Sequence, residues 1–155
     1  MATLRSLARR WRADTGAELI EFALVFPLLL LVVLGIVDFG LMFQQYEVLT
    51  NAAREGARVA VLPNYSAANA QARVDQYIAA GMLSMGGTVT TVVGTPTKVV
   101  IGTNCMTTIT VNVSYPHQFL FLGGIGNYFS QSFGTKTLNA SSTMRMEVTA
   151  GSCSP

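Results

Sequence analysis

FALVFPLLLLVVLGIV, residues 22–37, is the stretch on which the fold turns. It carries no charge, and Leu19 and Ile20 before it and Phe39 and Phe43 after it extend its apolar character. Sixteen residues at the α-helical rise cover about 24 Å, short of a hydrocarbon layer of about 30 Å, so the flanks must complete one crossing. Nothing else in the chain could make a second. A secretory signal peptide would close such a run with a small-residue A-x-A site, whereas here Gly35, Ile36, Val37, Asp38 and Phe39 follow. The run therefore reads as a membrane anchor.

Composition agrees. Of 155 residues, 12% are charged and 50% hydrophobic, and the mean hydropathy is +0.42. An ordinary water-soluble domain has about twice that charge fraction, and a disordered chain far less apolar content. The net charge of +2 is unevenly divided. Within residues 1–16, Arg5, Arg9, Arg10 and Arg12 face only Asp14, while beyond residue 16 acidic groups slightly outnumber basic ones. Four arginines immediately before a span place the N-terminus in the cytoplasm by the positive-inside rule, which sends the remaining residues to the other side. No basic surface is left for phosphate backbones, which excludes nucleic acid as a main partner.

Beyond the span, Met42, Tyr46, Leu49, Ala53 and Ala60 recur at helical spacing between polar residues, so one helix is expected from about Ala17 to Val61. Pro63 and Asn64 stop it. A second helix is expected over residues 66–85, ended by Gly86 and Gly87. From Thr88 the texture turns to Thr, Val and Ile in short alternations (TVTTVV, KVVI, TTITVNVSY), with a last one at residues 136–148; these read as antiparallel strands. Residues 119–133, rich in Gly, Phe and Tyr, read as an irregular loop with an apolar face. The expected class is α+β: a long N-terminal helix, transmembrane in its first half, then a short helix and a small antiparallel β head.

The chemistry-bearing signature lies where the basic leader meets the apolar run, RRWRADTGAELIEF at residues 9–22. A carboxylate inside an apolar span costs about 2.5 kcal/mol or more at mid-bilayer, so Glu21 needs either a headgroup-level position or a partner. The residues around it resemble type IV pilin-like proteins, in which a peptidase cuts after a cytoplasmic-side Gly and a Glu stands fifth in the mature chain. A cut between Gly16 and Ala17 makes Glu21 fifth. With Phe22, Pro27, Gly35, Asp38 and AAREGAR at residues 52–58, the chain resembles the TadE-like pseudopilin family of tight-adherence (Tad/Flp) pilus systems over about residues 9–60.

The resemblance implies an inner-membrane minor prepilin of a Tad-type (type IVc) pilus, acting in pilus assembly or initiation and not as an enzyme. It implies three parts: a cytoplasmic leader at 1–16, a transmembrane and stalk helix at 17–62, and an exported α+β head at 63–155, periplasmic or extracytoplasmic. The implied partners are a prepilin peptidase, other pilins or pseudopilins, the inner-membrane Tad assembly proteins and membrane lipid. Family knowledge assigns Gly16 and Ala17 to cleavage, and Glu21 with Phe22 to subunit docking, the carboxylate pairing with a neighbour's freed α-amine. Major Flp pilins lack a sizeable head, so the head favours a minor, tip or assembly subunit. The rival is an uncleaved signal-anchor protein whose extracytoplasmic head binds a ligand or carries an enzyme.

Cys105 and Cys153 are the only cysteines and both fall in the exported part, where a structural disulfide persists. His117 is the only histidine, which removes His-based zinc sites and Ser-His-Asp triads; beside Pro116 it is expected in a turn. Neither a metal nor a cofactor is expected. Arg54, Glu55 and Arg58 form either a helix contact stripe for partner subunits or a solvated face, and Asp38 either meets water or pairs with a neighbour.

Overall fold

The computed structural model describes residues 3–64, 66–81, 87–101, 104–128 and 134–146, with side chains from 16 onward, apart from residues 101, 104, 127 and 128. The chain folds as a long helix carrying a small α+β head, as expected. Helix α1 runs from Thr3 to Ala60, so it includes the basic leader and continues through Gly16 without a break. Pro27 sits inside it, and the missing N–H is tolerated within an apolar helix whose neighbouring turns hold. From Gly16 on, α1 contains a window of mean hydropathy 2.8 in which no residue is buried within the chain. It is one helix long and apolar enough to cross a membrane. Its exposed side chains include Leu24, Leu28 and Ile36, about two-thirds or more accessible.

The helix stops where sequence placed its end. Val61 and Leu62 donate back to Ala57 and Val59, and Asn64 adopts a positive φ of 67°, a conformation Asn tolerates better than most residues. Helix α2, Ala67–Gly81, starts on a reciprocal cap. The Ser66 N–H donates to Asn69 Oδ1 at 3.0 Å, while the Asn69 N–H points back at Ser66 Oγ. Ala70, Val74 and Ile78, four residues apart, are its buried stripe. Residues 82–86, where sequence ran this helix further, lie outside the described residues.

Four strands follow: β1 Thr90–Val93, β2 Thr97–Ile101, β3 Asn104–Gln118 and β4 Thr135–Arg145. All pairing is antiparallel and all of it is to β3. Thr90 to Val93 pair with Ser114 to Val111, and Thr97 to Ile101 with Thr108 to Asn104, so the register slips by one residue between β1 and β2. That slip is a bulge at residues 94–96, where Gly94 donates to the Thr110 carbonyl at 2.8 Å. Along β3 the odd positions Ile109, Val111, Val113, Tyr115 and His117 are buried and the even ones are not, the period of two expected of a one-sided sheet. With Leu138 and Ala140 of β4 they close on α1 and α2.

Two expectations are corrected here. The Gly- and Phe-rich stretch is not wholly irregular: Phe121–Tyr128 forms a third helix, α3, in the connection from β3 to β4. His117 is not in a turn: β3 continues through Pro116 to Gln118. From Tyr115 onward β3 pairs with β4 alone, and an edge position of this kind tolerates proline.

Candidate functional site

The signature from Gly16 to Phe22 lies on α1. Gly16 is half-buried with nothing near the place a Cβ would occupy, and Ala17, Glu18, Glu21 and Phe22 are exposed. Phe22 stacks on Phe26, with ring centroids 5.3 Å apart and a tilt of 32°. Among the described residues nothing hydrogen-bonds or ion-pairs with the Glu21 carboxylate. Glu18, one turn away on the same side, doubles the acidic character, a feature that counting for a lone carboxylate overlooks. The geometry is that of an unanswered negative charge on an apolar rod, suited to a cation supplied from outside the chain.

About 50 Å further along the same helix, by the standard rise, lies AAREGAR. Its small residues and its charges have different duties. Ala52, Ala53 and Ala57 are fully buried against the head, and Gly56 lies so close to α2 that a Cβ would run into Val74 Cγ2, with Val111 Cγ1 at 3.4 Å. Glu55 accepts from Arg58 at 2.8 Å and from Arg73 of α2 at 3.0 Å. The Arg58 hydrogen bond, offset by some burial and reinforced by Arg73, holds the Glu55 carboxyl at about 2, well below its ordinary value. Both pairs are largely exposed, and pairs of that kind contribute about 0–1 kcal/mol each. So the stripe joins α1 to its own head through small residues, and Glu55 is engaged within the chain, while Arg54 and Arg58 remain exposed.

Between these regions sits a polar junction that sequence reasoning missed. Asp38 is 1% exposed, and its carboxylate accepts the backbone N–H groups of Leu120, Phe121 and Leu122 at 2.8 to 3.3 Å. It caps the first turn of α3 from a helix some eighty residues away in sequence. Water or a neighbouring subunit is thereby replaced as its partner by the chain's own backbone. Beside it the His117 Nδ1 lies 2.6 Å from Gln45 Oε1, both residues buried, with the imidazole edge-on to Phe119 at 4.9 Å. Burial pushes the His117 pKa down against the opposing pull of Asp38, which favours a neutral ring donating through Nδ1. Among the described residues no cluster of three His, Cys, Asp or Glu could hold a metal ion. Cys105 lies half-buried on β3 and is not a free thiol; Cys153 lies outside the described residues.

The family described as TadE-like protein matches the chain over residues 16–58. Residues 16–58 are a TadE-like segment. The match opens at Gly16 and closes at Arg58, so it holds the signature from Gly16 onward but not its arginines, together with the apolar run, Asp38 and AAREGAR, in a little over a quarter of the chain. Comparison with curated proteins and with solved structures found no match. A TadE-like segment built on a single exposed apolar helix fits a membrane-anchored protein associated with a Tad pilus system. The head lies almost entirely outside the matched segment, yet its core is completed by the small residues at the segment's end.

Proposed function

We propose that this protein is a minor prepilin or pseudopilin of a Tad-type pilus, cut by a prepilin peptidase between Gly16 and Ala17 and acting in pilus assembly or initiation without catalysis. In this reading residues 1–16 are a cytoplasmic leader, residues 17–62 anchor the protein in the inner membrane and form a stalk, and residues 63–155 form an extracytoplasmic head. Its partners are other pilins or pseudopilins and the Tad assembly proteins. The observation that carries the proposal is the exposed, partnerless Glu21 five residues into the TadE-like segment. Cleavage creates an α-ammonium at Ala17, and a carboxylate in an apolar setting becomes tolerable once such a cation pairs with it.

The test separates docking from folding. Glu21→Ala removes an unfavourable charge from a single helix, so the variant is expected to insert and be cleaved normally. Its neighbours' amines would be left unpaired in a low-dielectric site, a loss of about 3–5 kcal/mol for a buried pair, and assembly should fail. Glu21→Gln should fail as well, since the amide lacks the compensating charge. Mature mass and recovery of crosslinked pilus partners are measured on each variant. Recovery of partners at the wild-type level by Glu21→Ala would end the docking assignment.

The proposed head also contains a Cys105 to Cys153 disulfide. Closing a loop of that length constrains the unfolded chain by about 4 kcal/mol in the loop-entropy account. Non-reducing electrophoresis should show a compact species that reductant converts to a slower one. Complete alkylation of both thiols without reductant would exclude the link.

A further inference from the structure

The connection from β3 to β4 departs from the head in a direction that its sequence explains. Asp38 stands just past the apolar run and fixes the start of α3 at its own level. From there α3 runs back along α1. Leu122 lines an open groove of about 560 Å³ with Gly35, Ile36 and Phe39, and Ile125 lines another of about 470 Å³ with Leu28, Leu31 and Leu34. The α1 neighbours of Ile125 thus lie nearer the N-terminus than those of Leu122, the direction of an antiparallel run. α3 therefore lies beside the part of α1 read above as the far half of the bilayer span.

We infer that α3 is embedded in the outer leaflet, with lipid acyl chains as its partner. The inference rests on the reading of α1 as a bilayer span and adds a second intramembrane segment to it. Three observations support it independently of depth. Residues 118–135 contain no charged side chain, and Phe119, Phe121, Tyr128, Phe129 and Phe133 make the stretch aromatic in the manner of a segment at a membrane interface. Leu120, at the level of Asp38, is 57% exposed. The Asp38 carboxylate supplies acceptors for three N–H groups of the first turn, the groups that water satisfies at an exposed helix end and that lipid cannot. A buried carboxylate is an expensive cap in a place where water is at hand. Three charge-assisted bonds and the positive end of the helix dipole offset the cost of holding that carboxylate away from water. Lys136 follows at the return of the hairpin, paired in register with His117 and exposed, where a long stem can carry its ammonium to the headgroups.

The experiment uses the full chain in vesicles of phosphatidylcholine and phosphatidylglycerol, with or without brominated acyl chains. Trp11, the only tryptophan, is replaced by phenylalanine, and single tryptophans are placed by Ile125→Trp, Leu120→Trp, Leu30→Trp and Tyr77→Trp. Bromine should remove more than half the emission of Ile125→Trp and of the span control Leu30→Trp, and leave that of Tyr77→Trp on α2 unchanged. Leu120→Trp, at an exposed position that accepts the larger ring, should be quenched most by bromine placed near the headgroup, and it decides the matter if Ile125→Trp fails to fold. Unquenched emission from α3 beside a quenched Leu30→Trp overturns the inference and leaves the span reading intact. Blue-shifted but unquenched emission at every lipid-to-protein ratio means that protein, such as a second copy of α1, covers α3, and overturns it equally. An unquenched Leu30→Trp removes the span reading and the inference together.

Discussion

Gly56→Leu is expected to detach the head from the stalk. At this position the helix backbone of α1 lies against Val74 of α2, and even a methyl group would meet Val74 Cγ2 and approach Val111 Cγ1. Gly56→Ala sets two effects against each other. Alanine improves an α-helix interior by about 1 kcal/mol over glycine, while overpacking a tight core costs about 1–3 kcal/mol. Because valine branches at Cβ and has no flexible end to move aside, the steric cost should win. Leucine adds three more carbons to the same contact and should separate α1 from α2 altogether. Each kcal/mol lowers the melting midpoint of a unit the size of the head by about 4–8 °C. Melting of the full-length protein in detergent, followed by its tertiary signal, checks the order: wild type highest, Gly56→Ala lower, Gly56→Leu without a cooperative transition. Gly40→Ala, where a Cβ meets nothing within 4 Å, should melt at or above the wild type. A Gly56→Leu protein that melts with the wild type would show that the stripe does not hold the head.

Asp38→Ala should unravel α3 while leaving the sheet in place. The substitution takes away the acceptor of three backbone N–H groups in a buried position. An unsatisfied buried donor costs about 1–3 kcal/mol, so the set exceeds what an eight-residue helix gains from its few side-chain contacts. Asp38→Asn keeps one carbonyl acceptor and should retain part of the helix, which separates loss of acceptors from loss of charge. Amide hydrogen exchange at residues 120–122 of the full chain reads this directly. Protection should fall strongly in Asp38→Ala and less in Asp38→Asn, with β3 and β4 protected in all three proteins. Undiminished protection in Asp38→Ala would mean that another group caps the helix.

These two residues also mark where the sequence was legible and where it was not. The long helix, its stop at Pro63, the start of α2 near Ser66 and all four strands follow from local rules: period, proline and turn chemistry act within a few residues. α3 does not. Its glycines argue against a helix, and the carboxylate that makes the helix possible comes from α1, a contact that no local pattern encodes. The expectation for His117 failed for a related reason. Pro116 suggested that β3 had ended, yet the alternation of inward residues from Ile109 to Tyr115 continues to His117 once β4 is known to run alongside. In AAREGAR the charges drew attention, although the tight packing belongs to Ala52, Ala53, Gly56 and Ala57 between them. The roles proposed for Gly16 and Glu21 rest on spacing along one helix and not on tertiary contacts, so the fold does not bear on them.

Processing of the chain as a prepilin is read from the mass of the mature protein purified from membranes of cells with an active prepilin peptidase. The account predicts a polypeptide beginning at Ala17, and a longer species in Gly16→Leu, where a bulky side chain replaces the residue at the cut. A wild-type protein that retains residues 1–16, or a Gly16→Leu protein with the same mature mass as the wild type, would contradict it and leave an uncleaved signal anchor in its place.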